Sequence, residues 1–185
     1  MNGLNKNGRK LHDHKLYKKC DPASKALAIK TLKLKYPEPR YTYKEIENFQ
    51  FGDILMTDTL TGKIYLVEVE SRNDRDFNNN LYAKYPDVNI PLKNNSENLH
   101  TSGHKGFCIS INMEDFGKDY ASAFYITSLK DISTAPKKKS PNKYNEDEFF
   151  YKLKNNQVKR YVFNSQTGSY NKIKLIKGTK IDFYN

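Results

Sequence analysis

The sequence predicts an α+β domain: a mixed, mostly antiparallel β-sheet core flanked by helices. Three observations lead there. One strong helix signal opens at Asp21-Pro22, with aspartate suited to cap a helix and proline to its first position. Short segments of alternating apolar and polar residues follow, from Arg40 to Ser71 and again from Phe107 to Ile176. The 185 residues suffice for one domain with a real core.

The elements fall in this order. Residues 1–20 are polar and basic without periodicity, and read as a flexible basic arm. Residues 21–185 read as a single domain. Its helix runs from Pro22 through Leu27, Ile29 and Leu34 and ends at Tyr36-Pro37-Glu38-Pro39, because a proline disfavours helix in the residue before it. Arg40–Asn48 and Phe51–Thr57 are strands. Asp58-Thr59-Leu60-Thr61-Gly62 has turn chemistry, and Lys63–Ser71 is the strand that returns. Arg72–Asn80 is a loop or short helix, and Asp87–Leu92 a short strand. Phe107–Asn112 and Ala123–Leu129 are strands joined by a turn around Glu114–Asp119. Residues 130–146 form a basic surface loop holding Lys137, Lys138 and Lys139. Glu148–Leu153, Gln157–Phe163 and Lys172–Ile176 close the sheet.

Composition limits the partners. The net charge is +11, which favours a polyanion such as nucleic acid. A Lys- and Asn-rich composition alone also raises such a charge. Its distribution says more: residues 1–40 carry +8, residues 41–90 carry −4, and residues 91–185 carry +7. The acids concentrate in the segment that looks most like buried sheet. Cys20 and Cys108 are distant and make no CxxC pair, so reduced thiols are expected and a disulfide framework is not. No apolar run is long enough for a membrane span, and the N-terminus lacks a signal peptide's apolar core. The expected location is the cytoplasm of a bacterium or a phage-infected cell.

The stretch YLVEVESR, residues 65–72, carries the chemical question. Glu68 and Glu70 share a face with Ile64 and Leu66, while Tyr65, Val67 and Val69 take the other. Apolar residues on both faces mark an interior strand. If Leu55 pairs with Leu66, then Asp53 falls opposite Glu68, with Cβ atoms about 4.5–5.5 Å apart. Two carboxylates so close repel, and burial worsens it. A divalent cation is the simplest remedy. A shared proton or a nearby lysine would also serve. The structural reading is that the two glutamates pair with Arg72 or Lys63 at the strand's end.

Asp53, fourteen intervening residues and then Glu68-Val69-Glu70 resemble the PD-(D/E)XK nuclease superfamily. So does the frame: a helix, a hydrophobic strand bearing Asp, a turn, and a strand ending in acid-x-residue. The resemblance spans about residues 21–130, with FGDILM and YLVEVE carrying the detail. It implies a restriction-endonuclease-like fold and Mg²⁺-dependent hydrolysis of DNA, with Mn²⁺ as an alternative ion. Asp53 and Glu68 would hold the metal, joined by the Val69 carbonyl, and Glu70 would polarise the attacking water. The resemblance also admits a homodimer. Two departures stand out. Glu70 replaces the usual motif lysine, and the extra acid often drawn from the first helix is missing from residues 22–36. Glu45 or Glu47 would replace that acid, Glu45 by preference. Lys93 and Lys105 are the candidates for the missing cation, Lys93 in a catalytic role.

Lesser signals complete the reading. Lys105, His104 and Lys137–Lys139 are candidates for contact with the phosphate backbone. Tyr41, Tyr43, Tyr82 and Tyr85 are candidates for stacking on bases. His12-Asp13-His14 and the pair His100 and His104 lack the setting of a zinc site. No P-loop, dinucleotide fingerprint or nucleophile elbow occurs. The alternatives to a nuclease are a non-catalytic nucleic-acid binder with structural acids, and a phage factor that binds a host protein.

Overall fold

The computed structural model describes residues 14–46, 52–91, 105–141 and 147–173. Helix α1 spans His14–Lys35. Strands β1 (Tyr41–Glu45), β2 (Ile54–Asp58) and β3 (Lys63–Arg72) form an antiparallel meander. Helix α2 (Asp74–Leu81) and strand β4 (Asp87–Pro91) then carry the chain to β5 (Lys105–Asn112), which runs parallel to β3. Strand β6 (Ala123–Ser128), helix α3 (Leu129–Thr134), β7 (Lys137–Pro141), β8 (Asp147–Lys154), β9 (Val158–Asn164) and β10 (Ser169–Ile173) follow. The architecture is α+β, and among the described strands every pair is antiparallel except β3·β5.

The strands divide between two sheets. Seven lie in the order β1-β2-β3-β5-β6-β9-β10, and three in the order β4-β8-β7. The large sheet is apolar on both faces. Helix α1 lays Leu27, Ala28 and Leu32 against Ile54, Val67 and Ile109 on one face. The small sheet and the two short helices cover the other, packing Phe77, Val88, Ile132 and Leu153 around Leu66 and Tyr125. Each such leucine or phenylalanine contributes about 1.5–3 kcal/mol on burial. Leu66 and Val67, neighbours on opposite faces of β3, are both buried, as an interior strand requires.

Several sequence expectations shift. Helix α1 starts at His14, so residues 14–20 are helical and do not belong to a flexible arm. Asp21 does not cap the helix but ion-pairs with Lys25 one turn on, at 2.8 Å. Pro22 lies inside the helix, where its fixed φ suits helical geometry at the loss of one N–H bond. The expected basic loop at 130–146 is in part helix α3 and strand β7. Ser128 caps α3 by accepting the Asp131 amide at 3.0 Å, a Ser-x-x-Asp signature legible in the sequence. Lys137–Lys139 therefore stand on an edge strand of the small sheet. Among the described residues no helix is long and apolar enough to cross a membrane.

Among the described glycines, Gly106 has the least room for a side chain. A Cβ there would lie 2.0 Å from the Leu66 carbonyl oxygen, and β3 pairs with β5 at that point. Gly106→Ala therefore forces the only parallel ladder of the described sheet apart. A loss of about 3 kcal/mol is expected in urea denaturation; an unchanged midpoint would mean that the two strands separate freely there.

Candidate active site

The hairpin has the register the sequence suggests: Leu55 pairs with Leu66 and Thr57 with Ile64. Gly62, at a φ of +67°, closes its turn, a conformation that suits glycine. The regular ladder stops at Ile54 and Val67, and Asp53 sits on a bend just before β2. The expected cross-strand pair of Asp53 with Glu68 is therefore not part of the ladder. Oδ2 accepts the Val69 backbone N–H at 2.8 Å, which fixes the acid beside the Glu68-Val69-Glu70 backbone. Asp53 is only 4% exposed.

The charge on Asp53 is met by a lysine from the opposite element. Lys25 Nζ on α1 lies 3.6 Å from Asp53 Oδ1 and 2.8 Å from Asp21 Oδ2. Burial opposes the charge on Lys25, but the Asp21 hydrogen bond and the Asp53 and Asp21 charges outweigh it, so its pKa is raised. A raised lysine stabilises the fold fully below its unfolded pKa and loses that contribution only as alkaline pH passes the folded value. The bridge therefore stands at neutral pH. Asp21, Lys25 and Asp53 form one chain of contacts from α1 to the end of β2.

Glu70 has its own cation. Arg72 Nη2 donates to Glu70 Oε2 at 2.8 Å and also to the Asn89 carbonyl of β4. Ser110 Oγ on β5 donates to the same carboxylate oxygen at 3.0 Å. Burial alone would lower the Arg72 pKa, but the Glu70 charge and hydrogen bond, together with Tyr125 and Cys108, outweigh it and raise it. Glu68 is half-buried, pairs in register with Cys108, and has Oε1 sealed from solvent. Among the described residues, buried Thr127 Oγ1 on β6 meets no hydrogen-bond partner, while the buried Tyr125 hydroxyl lies by Ser110. Tyr125 shares the core layer of Leu66, on the sheet face to which alternation sends Glu68 and Glu70.

The other sequence candidates scatter. Glu45 stands exposed on β1, paired with Ile54. Lys105 is exposed at the start of β5 and pairs with Tyr65, at the opposite end of the β3·β5 ladder from Glu70. Lys137–Lys139 are exposed on β7 of the other sheet. Lys93, His104 and Glu47 lie outside the described residues. Tyr82 and Tyr85 are exposed beyond α2, whereas Tyr43 packs inward and donates its hydroxyl to the Tyr36 carbonyl at 2.7 Å.

Sequence reasoning passed over Lys25 and Asp21. The expectation that the first helix lacks an acid is overturned, because α1 includes Asp21. The signal was present as an Asp–Lys pair at i, i+4 spacing. Reading Asp21 as the cap placed it at the helix end and hid the pair. Among the described residues, no group of three or more His, Cys, Asp or Glu side chains is gathered to hold a metal ion. No protein-family model, curated protein or solved structure matches the chain.

Proposed function

We propose that this chain is a metal-dependent phosphodiesterase that hydrolyses nucleic acid, DNA foremost. The observation that carries the reading is the hydrogen bond from the Val69 amide to Asp53, which holds a buried carboxylate against the backbone of the Glu68-Val69-Glu70 stretch in a chain of net charge +11. The order of helix, Asp53 at the entry to β2, turn and acid-x-acid strand supports it.

The donor chemistry fits a hard cation: Mg²⁺ takes one or two carboxylates and fills its remaining positions with water and substrate phosphate. Asp53 and Glu68 would hold it. Once bound, such an ion neutralises the phosphodiester and lowers the pKa of a water. The chain's own side chains have separate tasks. Lys25, oriented by Asp21, supplies the positive charge that a motif lysine would bring to the developing negative charge. Glu70 is engaged by Arg72 and Ser110, so its role is to fix the end of β3, not to orient a water.

A specific observation favours a second reading. Asp53 and Glu70 each already have a cationic partner in the protein, Lys25 and Arg72. In that reading the acids are structural and the chain binds nucleic acid without cutting it. Incubation with supercoiled plasmid and mixed RNA, in Mg²⁺, in Mn²⁺ and in EDTA, separates the two. Metal-dependent cleavage that disappears in Glu68→Ala is expected. Binding in EDTA with no cleavage in either metal would leave only the binder.

A further inference from the structure

A cleft of about 720 Å³ opens on the sheet face that carries α1. Tyr36, Tyr41, Tyr65, Phe107 and Tyr161 line it. Lys105, Lys130 and Lys159 stand around it, all exposed. Lys35 adds a fourth cation, its Nζ 4.4 Å from the centre of the Tyr161 ring and 5.5 Å from that of Tyr36. Burial lowers the Lys35 pKa first, and the nearby charges of Lys159 and Lys172 lower it further. Asp131 is the only acid in the lining among the described residues, and it is committed to Ser128 at the cap of α3. Lys35 thus feels the charges of Lys159 and Lys172, and among the described residues the lining offers these lysines no uncommitted carboxylate.

The cleft is distinct from the acidic site. Tyr65 and Lys105 pair at the end of the β3·β5 ladder remote from Glu70 and Ser110, and Tyr65 packs on the α1 face with Val67 and Val69. Glu68 and Glu70 take the other face, with Leu66.

We propose that this cleft binds a nucleotide, free or as a unit of a single strand. Lysines alone would suit a bare phosphate, and aromatic rings alone would suit an apolar ligand. Their combination suits a ligand with a flat π-face and a charged phosphate. The base stacks on the tyrosine wall, worth about 1–3 kcal/mol per base. Its phosphates meet Lys105, Lys130 and Lys159, whose charges are then offset. Burial raises the Tyr36 pKa to about 12 and that of Tyr161 above its ordinary value, so both phenols are neutral at physiological pH and do not repel a phosphate. Duplex DNA, whose bases are stacked on each other, offers no free π-face to the wall.

The test is fluorescence anisotropy in EDTA, so that it reads binding and not cleavage. The ligands are a labelled 12-nucleotide single strand, the matching duplex, and unlabelled AMP as competitor. Tyr65→Leu keeps the apolar contact but removes the aromatic face. It is expected to weaken single-strand binding at least about fivefold without changing the salt dependence. Lys130→Ala with Lys159→Ala, both exposed positions, is expected to flatten the salt slope by about 1.4. Displacement of the strand by AMP assigns the cleft to any nucleotide. AMP without effect, with both variants weakened, assigns it to the polymer. Equal affinity for duplex and single strand, with Tyr65→Leu indistinguishable from the parent and its melting curve unchanged, would overturn the proposal.

Discussion

Asp53→Asn is expected to reduce metal-dependent cleavage at least about a hundredfold while leaving nucleic-acid binding in EDTA unchanged. Asparagine keeps an oxygen for the Val69 amide, now held at 2.8 Å, so the bend before β2 survives. Only the negative charge is lost. Lys25 then retains Asp21 as its partner, at 2.8 Å, and the cost to stability is about 1 kcal/mol. A melting curve measured beside the cleavage assay separates the two effects. A variant that is as stable as the parent or more so, and that cuts as fast, would return Asp53 to a structural role. The binder would then be the better reading, because catalysis requires the acid and backbone binding requires only the lysines and arginines.

Arg160→Met is expected to destabilise the fold by about 3 kcal/mol, lowering the melting temperature by roughly 6–12 °C. Arg160 is 1% exposed, on β9. Its Nε donates to the Asn80 carbonyl at 2.8 Å. Nη1 donates to the carbonyls of Asn155 and Val158, and Nη2 to the Asn155 side chain at 2.8 Å. All four acceptors are amide oxygens, and burial lowers the arginine's pKa. The guanidinium thus ties the large sheet to the end of α2 and to the turn before β9. Methionine fills much of the volume but leaves buried acceptors without donors, which costs more than the relief of burying a charge returns. Urea denaturation followed by circular dichroism gives the value directly. A change below about 0.5 kcal/mol would show that water takes over those acceptors.

Local patterning carried much of the architecture. Period-2 alternation in LVEVE located β3, turn residues located its hairpin, and the Leu55–Leu66 register follows from keeping apolar residues on shared faces. The acid-rich middle of the chain did mark the sheet interior, since β3 is buried on both sides. Where the reading failed, a local signal had two meanings. Asp21-Pro22 is a good helix start and is also tolerated one turn and more inside a helix. The lysines after α3 look like loop composition but pair as β7 with β8.

By itself, the sequence determined the α+β class and the central hairpin, whose assumed Leu55–Leu66 register the structure has. These depend on neighbours within a few residues, where side-chain periodicity and turn chemistry act. Only the tertiary structure decided which cations Asp53 and Glu70 meet and where the second sheet lies. Lys25 and Asp53 are distant in the chain and meet because α1 packs on the face of Val67. The parallel β3·β5 pair needs a crossover through α2 and β4, and no local pattern selects the partner of a parallel strand. The lysines around the tyrosine cleft come from α3, β5 and β9, and they line one cleft only once β6 has paired with both β5 and β9.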